Sequence, residues 1–234
     1  MKLAPISIAL SLFFSPYAAG DSSSVPAVSA APGIESRDYE WNRQDDVLAR
    51  LLRCTGDRER GQVAYEVCRG CHKNHAEGRP DAGYPQLAGQ HVSVLVKQMV
   101  DVRRGLRDNP RMHPFIEEEA VPLAEIPDMA AYLHSLKVPS SNRKGPGGDL
   151  EHGRILYQRD CASCHGEVGE GDAREFYPKV ASQHYPYLYR ESIDIRDGMR
   201  RNANPKMVKV LKRYSDEDIE AVSDYMSRQS PVND

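Results

Sequence analysis

Cys68-Arg69-Gly70-Cys71-His72 and Cys161-Ala162-Ser163-Cys164-His165 carry one pattern, C-x-x-C-H, twice in a chain of 234 residues. The pattern is the attachment site of c-type haem. On a helix, positions i, i+3 and i+4 share a face, so two thiols and an imidazole are presented together. The thiols add to the two vinyl groups of one haem edge, and the adjacent imidazole reaches the iron. A single pentapeptide of this kind also occurs in zinc sites and redox dithiols. Two of them inside longer matching segments point to two covalently bound haem c groups. Cys68, Cys71, Cys161 and Cys164 are then the attachment residues, with His72 and His165 as axial iron ligands.

The matching extends outward from the motifs. A tyrosine follows each motif histidine by 12 residues (Tyr84, Tyr177) and another by 60 (Tyr132, Tyr225). Tyr84-Pro85-Gln86-Leu87-Ala88 parallels Tyr177-Pro178-Lys179-Val180-Ala181, and Gln90-His91 parallels Gln183-His184. Arg107 to Met112 parallels Arg201 to Met207 with one residue added. A fixed period of about 93 residues means two copies of one unit, each near the small end of autonomous domain size. Residues 57–137 form the first haem domain and 150–234 the second. The polar, Gly- and Pro-rich stretch 138–149 reads as a linker.

Each unit has the same order of helices: one into the haem motif (57–72, 150–165), one in the middle (91–104, 184–198) and one at the close (123–136, 216–229). Ser215-Asp216-Glu217-Asp218 opens the last with a capping box, and Ile219, Val222 and Met226 recur at i, i+3 and i+7. Pro127 removes a hydrogen bond if it falls in a helix interior, so the first closing helix is expected to start late or irregularly. Nothing alternates with period 2. The expected architecture is all-α, two tandem cytochrome c-like domains, each built around one covalently bound haem.

Lys2, the apolar run from Leu3 to Phe14 and Ala18-Ala19-Gly20 make residues 1–20 a secretory signal, too short to span a bilayer. Haem attachment in a secreted chain places it in a bacterial periplasm, with no stable membrane insertion. Residues 21–36, rich in Ser, Ala and Pro, read as a disordered lead. Val47, Leu48, Leu51 and Leu52 form one stripe of an extra amphipathic helix, expected to pack on the first unit in preference to facing a partner, so residues 21–56 are lead plus helix. Without the signal, 30 basic and 34 acidic side chains remain, a net charge of −4. That balance argues against nucleic acid and for mild steering toward partners. Apolar content of 40%, with 7% aromatics, is modest for two cores, and a buried porphyrin in each makes up the difference.

The second axial position decides the chemistry. A thioether opposite the imidazole raises the reduction potential and suits electron transfer. Of seven methionines, Met112 and Met207 hold the same place in both repeats, 40 and 42 residues after their imidazoles, each after an Asn-Pro. Met129 and Met226 fall in closing helices as core, and Met99 and Met199 are out of register. Met112 and Met207 are the expected ligands. His91 and His184, also in register, are the rivals, with a surface or propionate-side role as their other reading. His75, His113, His134 and His152 are unmatched and read as solvated. Tyr84 and Tyr177 either pack in the core or support the proximal side, where the Pro85 or Pro178 carbonyl accepts the imidazole N–H. Cys54, the odd thiol of five, is expected to be buried.

Both C-x-x-C-H motifs, the Tyr84–Gln90 segment, the Asn-Pro-x-Met turns and the helix from Ser215 to Tyr225 resemble the dihaem cytochrome c4 family, two fused class I cytochrome c domains, over roughly residues 57–229. The resemblance implies His/Met ligation at both irons and a periplasmic electron carrier with no substrate chemistry of its own. Such a carrier shuttles electrons from a dehydrogenase or quinol-oxidising complex to a terminal oxidase or reductase, through transient contacts with redox protein partners. The alternative is a dihaem oxidoreductase such as a thiosulfate dehydrogenase or peroxidase, which needs an open, bis-His or Cys-ligated iron. Three features depart from the family: residues 21–56 are extra, Ser182 replaces a glycine, and Pro127 interrupts the first closing helix.

Overall fold

The computed structural model describes residues 33–232. The signal segment and residues 21–32 of the lead lie outside the described residues. Ten α-helices carry the described chain. Helix α1 (Asp46–Arg53) begins at Asp45, whose carboxylate accepts the Leu48 N–H at 2.9 Å. Helix α2 (Arg58–Ala64) passes through a 3₁₀ turn (Tyr65–Cys68) into α3 (Arg69–His72). The second unit repeats this as α6 (Leu150–Leu156), one π turn (Tyr157–Cys161) and α7 (Ala162–His165). The middle helices are α4 (Val92–Arg103) and α8 (Tyr185–Arg196), and the closing helices are α5 (Ile126–Ser135) and α10 (Asp216–Arg228). Helix α9 (Pro205–Leu211), absent from the sequence reading, has only a 3₁₀ turn, His113–Phe115, near its place in the first unit. Among the described residues the only β pairing is two isolated bridges, Arg79–Tyr84 and Asp172–Tyr177.

The expected capping box forms, with Ser215 and Asp218 exchanging side-chain and backbone bonds. Pro127 sits in the first turn of α5, where its missing N–H has no helical partner to lose. The helix begins irregularly all the same, through a 3₁₀ turn at Leu123–Glu125.

In each unit the entering helix crosses the closing helix at a glycine. A β-carbon on Gly61 would lie 2.0 Å from the Asp128 carbonyl oxygen, and one on Gly153 2.1 Å from that of Ala221. Backbone atoms cannot yield as a side-chain tip does, so the crossing distance depends on both glycines. Gly153→Ala is expected to lower stability by about 1–3 kcal/mol through overpacking. Gly148→Ala, in the linker where nothing lies within 4 Å, is the control. Urea unfolding followed by circular dichroism distinguishes them, and equal midpoints would contradict the crossing argument.

Two apolar cores form, one per unit, and Leu48 and Leu51 of α1 are buried in the first. The amphipathic helix therefore packs where its stripe directed it. Residues 33–36, read as part of a disordered lead, are instead placed: the Ile34 N–H donates to the Arg201 carbonyl at 2.8 Å, and Glu35 pairs with the Arg201 guanidinium. The linker is also fastened. Asn142 donates to the carbonyls of Gln183 and Ser227, and the Gly145 and Gly147 N–H groups donate to Asp224.

The two units meet in a seam with approximate twofold pairing. Gln90 accepts the Lys179 N–H at 2.9 Å and donates to its carbonyl at 3.0 Å; Gln183 does the same to Gln86, at 3.0 and 2.8 Å. The Nε2 atoms of His91 and His184 donate across the seam to the Glu170 and Glu77 carbonyls, at 2.8 and 2.7 Å. These histidines act as pegs between the units, and His184 is buried where the sequence offered a surface role. Of the histidines read as solvated, His113 and His152 keep 41 and 42% of their side chains exposed while pairing with Glu117 and Asp218, and half-buried His134 meets the Gln90 carbonyl.

Candidate haem sites

The proximal side of each site is built by the loop after the motif. The His72 carbonyl accepts the Gly78 N–H at 3.0 Å, and the His165 carbonyl accepts that of Gly171 at 2.8 Å. The bridges Arg79–Tyr84 and Asp172–Tyr177 then turn the chain back on itself. That reversal brings the Pro85 carbonyl 3.0 Å from His72 Nδ1 and the Pro178 carbonyl 3.0 Å from His165 Nδ1. Gly78 and Gly171 adopt φ of +78° and +71°, and a β-carbon on either would lie 2.7 Å or less from the carbonyl oxygen of that proline. Both follow their histidine by six residues. That shared register is the signal that would have found them in the sequence.

A carbonyl acceptor at Nδ1 fixes the tautomer and leaves Nε2 with its lone pair. Burial, opposed by the proline carbonyl, pushes both imidazoles below their ordinary pKa, so they are held neutral as a metal requires. Burial also pushes the Cys68 thiol up to about 11 and Cys161 up to about 12. Tyr65 and Tyr157 close the motif helices by donating to the Lys73 and Gly166 carbonyls, at 2.9 and 2.7 Å.

In the first unit a cavity of about 470 Å³ is lined by Cys68, Cys71 and His72 together with Met112, Leu95 and Met129. Met112 is placed by Asn109, whose side chain and carbonyl accept the Met112 N–H at 3.2 and 3.0 Å. In the second unit Asn204 caps α9, accepting the Lys206 N–H at 2.8 Å, and Met207 packs with Cys161 against the second core. The Asn-Pro of each turn thus acts through one side chain that ties down the residues around the methionine. Two thiols, a neutral imidazole and a thioether around an apolar cavity fit a covalently held haem.

The same cavity is bordered by Arg107 and, from the second unit, by Tyr187, Glu191 and Arg200. Arg107 and Arg200 occupy equivalent places, their N–H groups donating to the Asp101 and Asp194 carbonyls at 3.0 Å. The sequence parallel of Arg107 with Arg201 is therefore one residue off: the structural counterpart of Arg107 is Arg200. Glu191 accepts from both guanidiniums, at 3.0 and 2.8 Å. Its counterpart one period earlier is the neutral Gln98, which accepts from both arginines and from Asn202. Cys54 is not buried; it is exposed at the end of α1, its thiol donating to the Arg50 carbonyl. A free thiol can end a surface helix without burial because that carbonyl has no other helical partner.

Residues 150–230 match the Cytochrome c family profile. Cytochrome c4 of Pseudomonas aeruginosa is 31% identical over 192 residues, covering 76% of this chain and 92% of the relative. The chain is a member of the cytochrome c4 family. A thiosulfate dehydrogenase electron acceptor of Stutzerimonas stutzeri is 33% identical over 201 residues, covering 77% of this chain and 91% of that protein. The crystal structure of reduced cytochrome c4 from Pseudomonas stutzeri superimposes with a TM-score of 0.67 at 29% identity, over 75% of this chain and all of that one. As a cytochrome c4-like protein the chain is an all-α, dihaem electron-transfer cytochrome with two covalently bound haem c groups. No helix among the described residues is long and apolar enough to cross a membrane.

Proposed function

We propose that this chain is a periplasmic carrier that takes electrons from a dehydrogenase or quinol-oxidising complex and passes them to a terminal oxidase or reductase. Cys68 and Cys71 hold one haem and Cys161 and Cys164 the other. His72 with Met112, and His165 with Met207, close the two irons. When bound, haem supplies a reversible one-electron couple. The chain's own residues keep each site closed: the imidazoles cannot rotate away from their proline carbonyls, and the methionines follow tethered Asn-Pro turns. Arg107 and Arg200 supply positive charge at the seam side of the first cavity. One observation carries the reading. Both imidazoles have the same Nδ1 acceptor at the same 3.0 Å, so the two sites are prepared for the same ligation.

The relative named as an acceptor for thiosulfate dehydrogenase supports a dehydrogenase as donor. The one cysteine outside the two motifs, which an enzyme of the Cys-ligated kind would need, is Cys54; it is exposed at the end of α1 and its thiol donates to the Arg50 carbonyl. That placement favours the carrier. The purified ferric protein is expected to display the weak far-red band of thioether-ligated haem at full strength for two irons per chain, and to turn over neither thiosulfate nor peroxide. A band of half strength, or either turnover, would reject the carrier reading.

A further inference from the structure

The extra N-terminal segment does more than pack on the first unit. From α1, where Asp45 pairs with Arg104 at 2.5 Å, it runs back along the seam to the second unit, where Glu35 pairs with Arg201. Between these anchors lies Trp41, the chain's single tryptophan. Its ring stacks on Tyr177, with centroids 5.6 Å apart and planes 17° apart, and meets Phe176 edge-on at 6.4 Å. Lys97 of α4 in the first unit places its ammonium 5.7 Å from the same ring. Tyr177 in turn stands 6.4 Å from the His165 ring and directly precedes Pro178, whose carbonyl holds His165 Nδ1.

The first unit lacks this arrangement. Tyr84 stands at the matching 6.1 Å from His72, but among the described residues His72 is its only ring partner. The residue before it is Gly83, at φ +73°, with Arg190 of the second unit against it. One period later that place is taken by Phe176, which holds φ of +57°. A bulky side chain in the left-handed region is strained, because its β-carbon crowds the following carbonyl oxygen. Its ring, 4% exposed, packs against Trp41 instead of leaving a glycine's gap. A strained backbone and an added tryptophan thus meet at one haem and not at the other.

We propose that the segment from Gly33 to Arg53 is a strap that joins the two units, and that Trp41 is a positioning residue acting through Tyr177 on the proximal side of the second haem. By covering Tyr177 and Phe176 it keeps water from the Pro178–His165 contact. A drier, less polarisable surrounding disfavours the more highly charged ferric state and raises the potential. The strap therefore sets the second couple apart from the first, although the two proximal hydrogen bonds are alike. This rests on His165 being the axial ligand, as proposed above.

The test uses the full-length protein with both haems. In Trp41→Ala, the potential of the second haem falls and its hyperfine-shifted haem methyl resonances move, while those of the first haem stay in place; Overhauser contacts to either unit assign them. Trp41→Phe, which keeps a stacking ring, restores most of both signals. Phe176→Gly, which copies the first unit and relieves the backbone, shifts the second haem in the same direction as Trp41→Ala and guards against a misfolded variant. Movement of both couples together, movement of neither, or a Trp41→Phe variant identical to Trp41→Ala overturns the proposal. Failure of the axial reading is separate: it is seen in the unmodified protein as missing shifted resonances from His165, whereas failure of the strap leaves them present and Trp41→Ala silent.

Discussion

Met207→Ala, reduced and exposed to carbon monoxide, is expected to bind one equivalent per chain; Met112→Ala binds one at the other site, and the double variant two. In the ferric state each single variant loses half of the far-red thioether band. Asn109 and Asn204 anchor the backbone around their methionines, so removing the sulfur leaves a gap and brings up no substitute. The rival ligands are engaged elsewhere: His91 and His184 donate across the seam at 2.8 and 2.7 Å. Recruiting either would open the contact between the units. Truncating a partly buried methionine also costs about 2 kcal/mol or more in stability, so the uptake is measured well below the unfolding temperature. A variant that binds no carbon monoxide, with an unaltered ferric spectrum, would remove that methionine from the site.

Much of this was legible in the sequence, for a physical reason. Thiols, imidazoles and prolines act locally: the spacing His72 to Pro85 recurs as His165 to Pro178, and a short loop closed by Gly78 or Gly171 makes that spacing a contact. The cap at Ser215 and the stripe of α1 are local too. What was not legible depends on the two units meeting. His91 and His184 stand in register in the sequence, but the carbonyls they donate to, Glu170 and Glu77, lie in the opposite unit. Arg107 and Arg200 were misaligned because the loops after α4 and α8 differ in length beyond them, where Met112 and Met207 stand 40 and 42 residues from their histidines. Trp41 lies in a segment without periodicity, so nothing local marks it as a contact of Tyr177.

Glu191→Gln is expected to destabilise the seam by about 3 kcal/mol, a large share of a domain's stability. Glu191 lies between Arg107 and Arg200, and the three side chains are only 12, 12 and 19% exposed. Its counterpart Gln98 already supplies one neutral amide, so the substitution would leave the guanidiniums of Arg107, Arg200 and the more exposed Arg190 facing two amides with no carboxylate between them. The cost is repulsion of unpaired buried charge, not loss of packing. Acid should reproduce it in the unmodified protein. Burial raises the Glu191 pKa, but the charges of Arg107 and Arg200 outweigh it and hold the carboxyl at about 2, against an ordinary 4.5. A carboxyl depressed in the folded state contributes its stability in full above the unfolded value, and that contribution is lost as pH falls through the folded one. The seam is thus expected to weaken from about pH 4.5 toward 2, alongside Glu35, which its hydrogen bond with Arg201 also holds at about 2. Small-angle scattering of the holoprotein across that range should record the units parting, and Glu191→Gln should remove the Glu191 share of the acid dependence while leaving that of Glu35. If wild type and variant open at the same pH with the same urea midpoint at neutrality, the carboxylate is not what binds the two arginines into the seam.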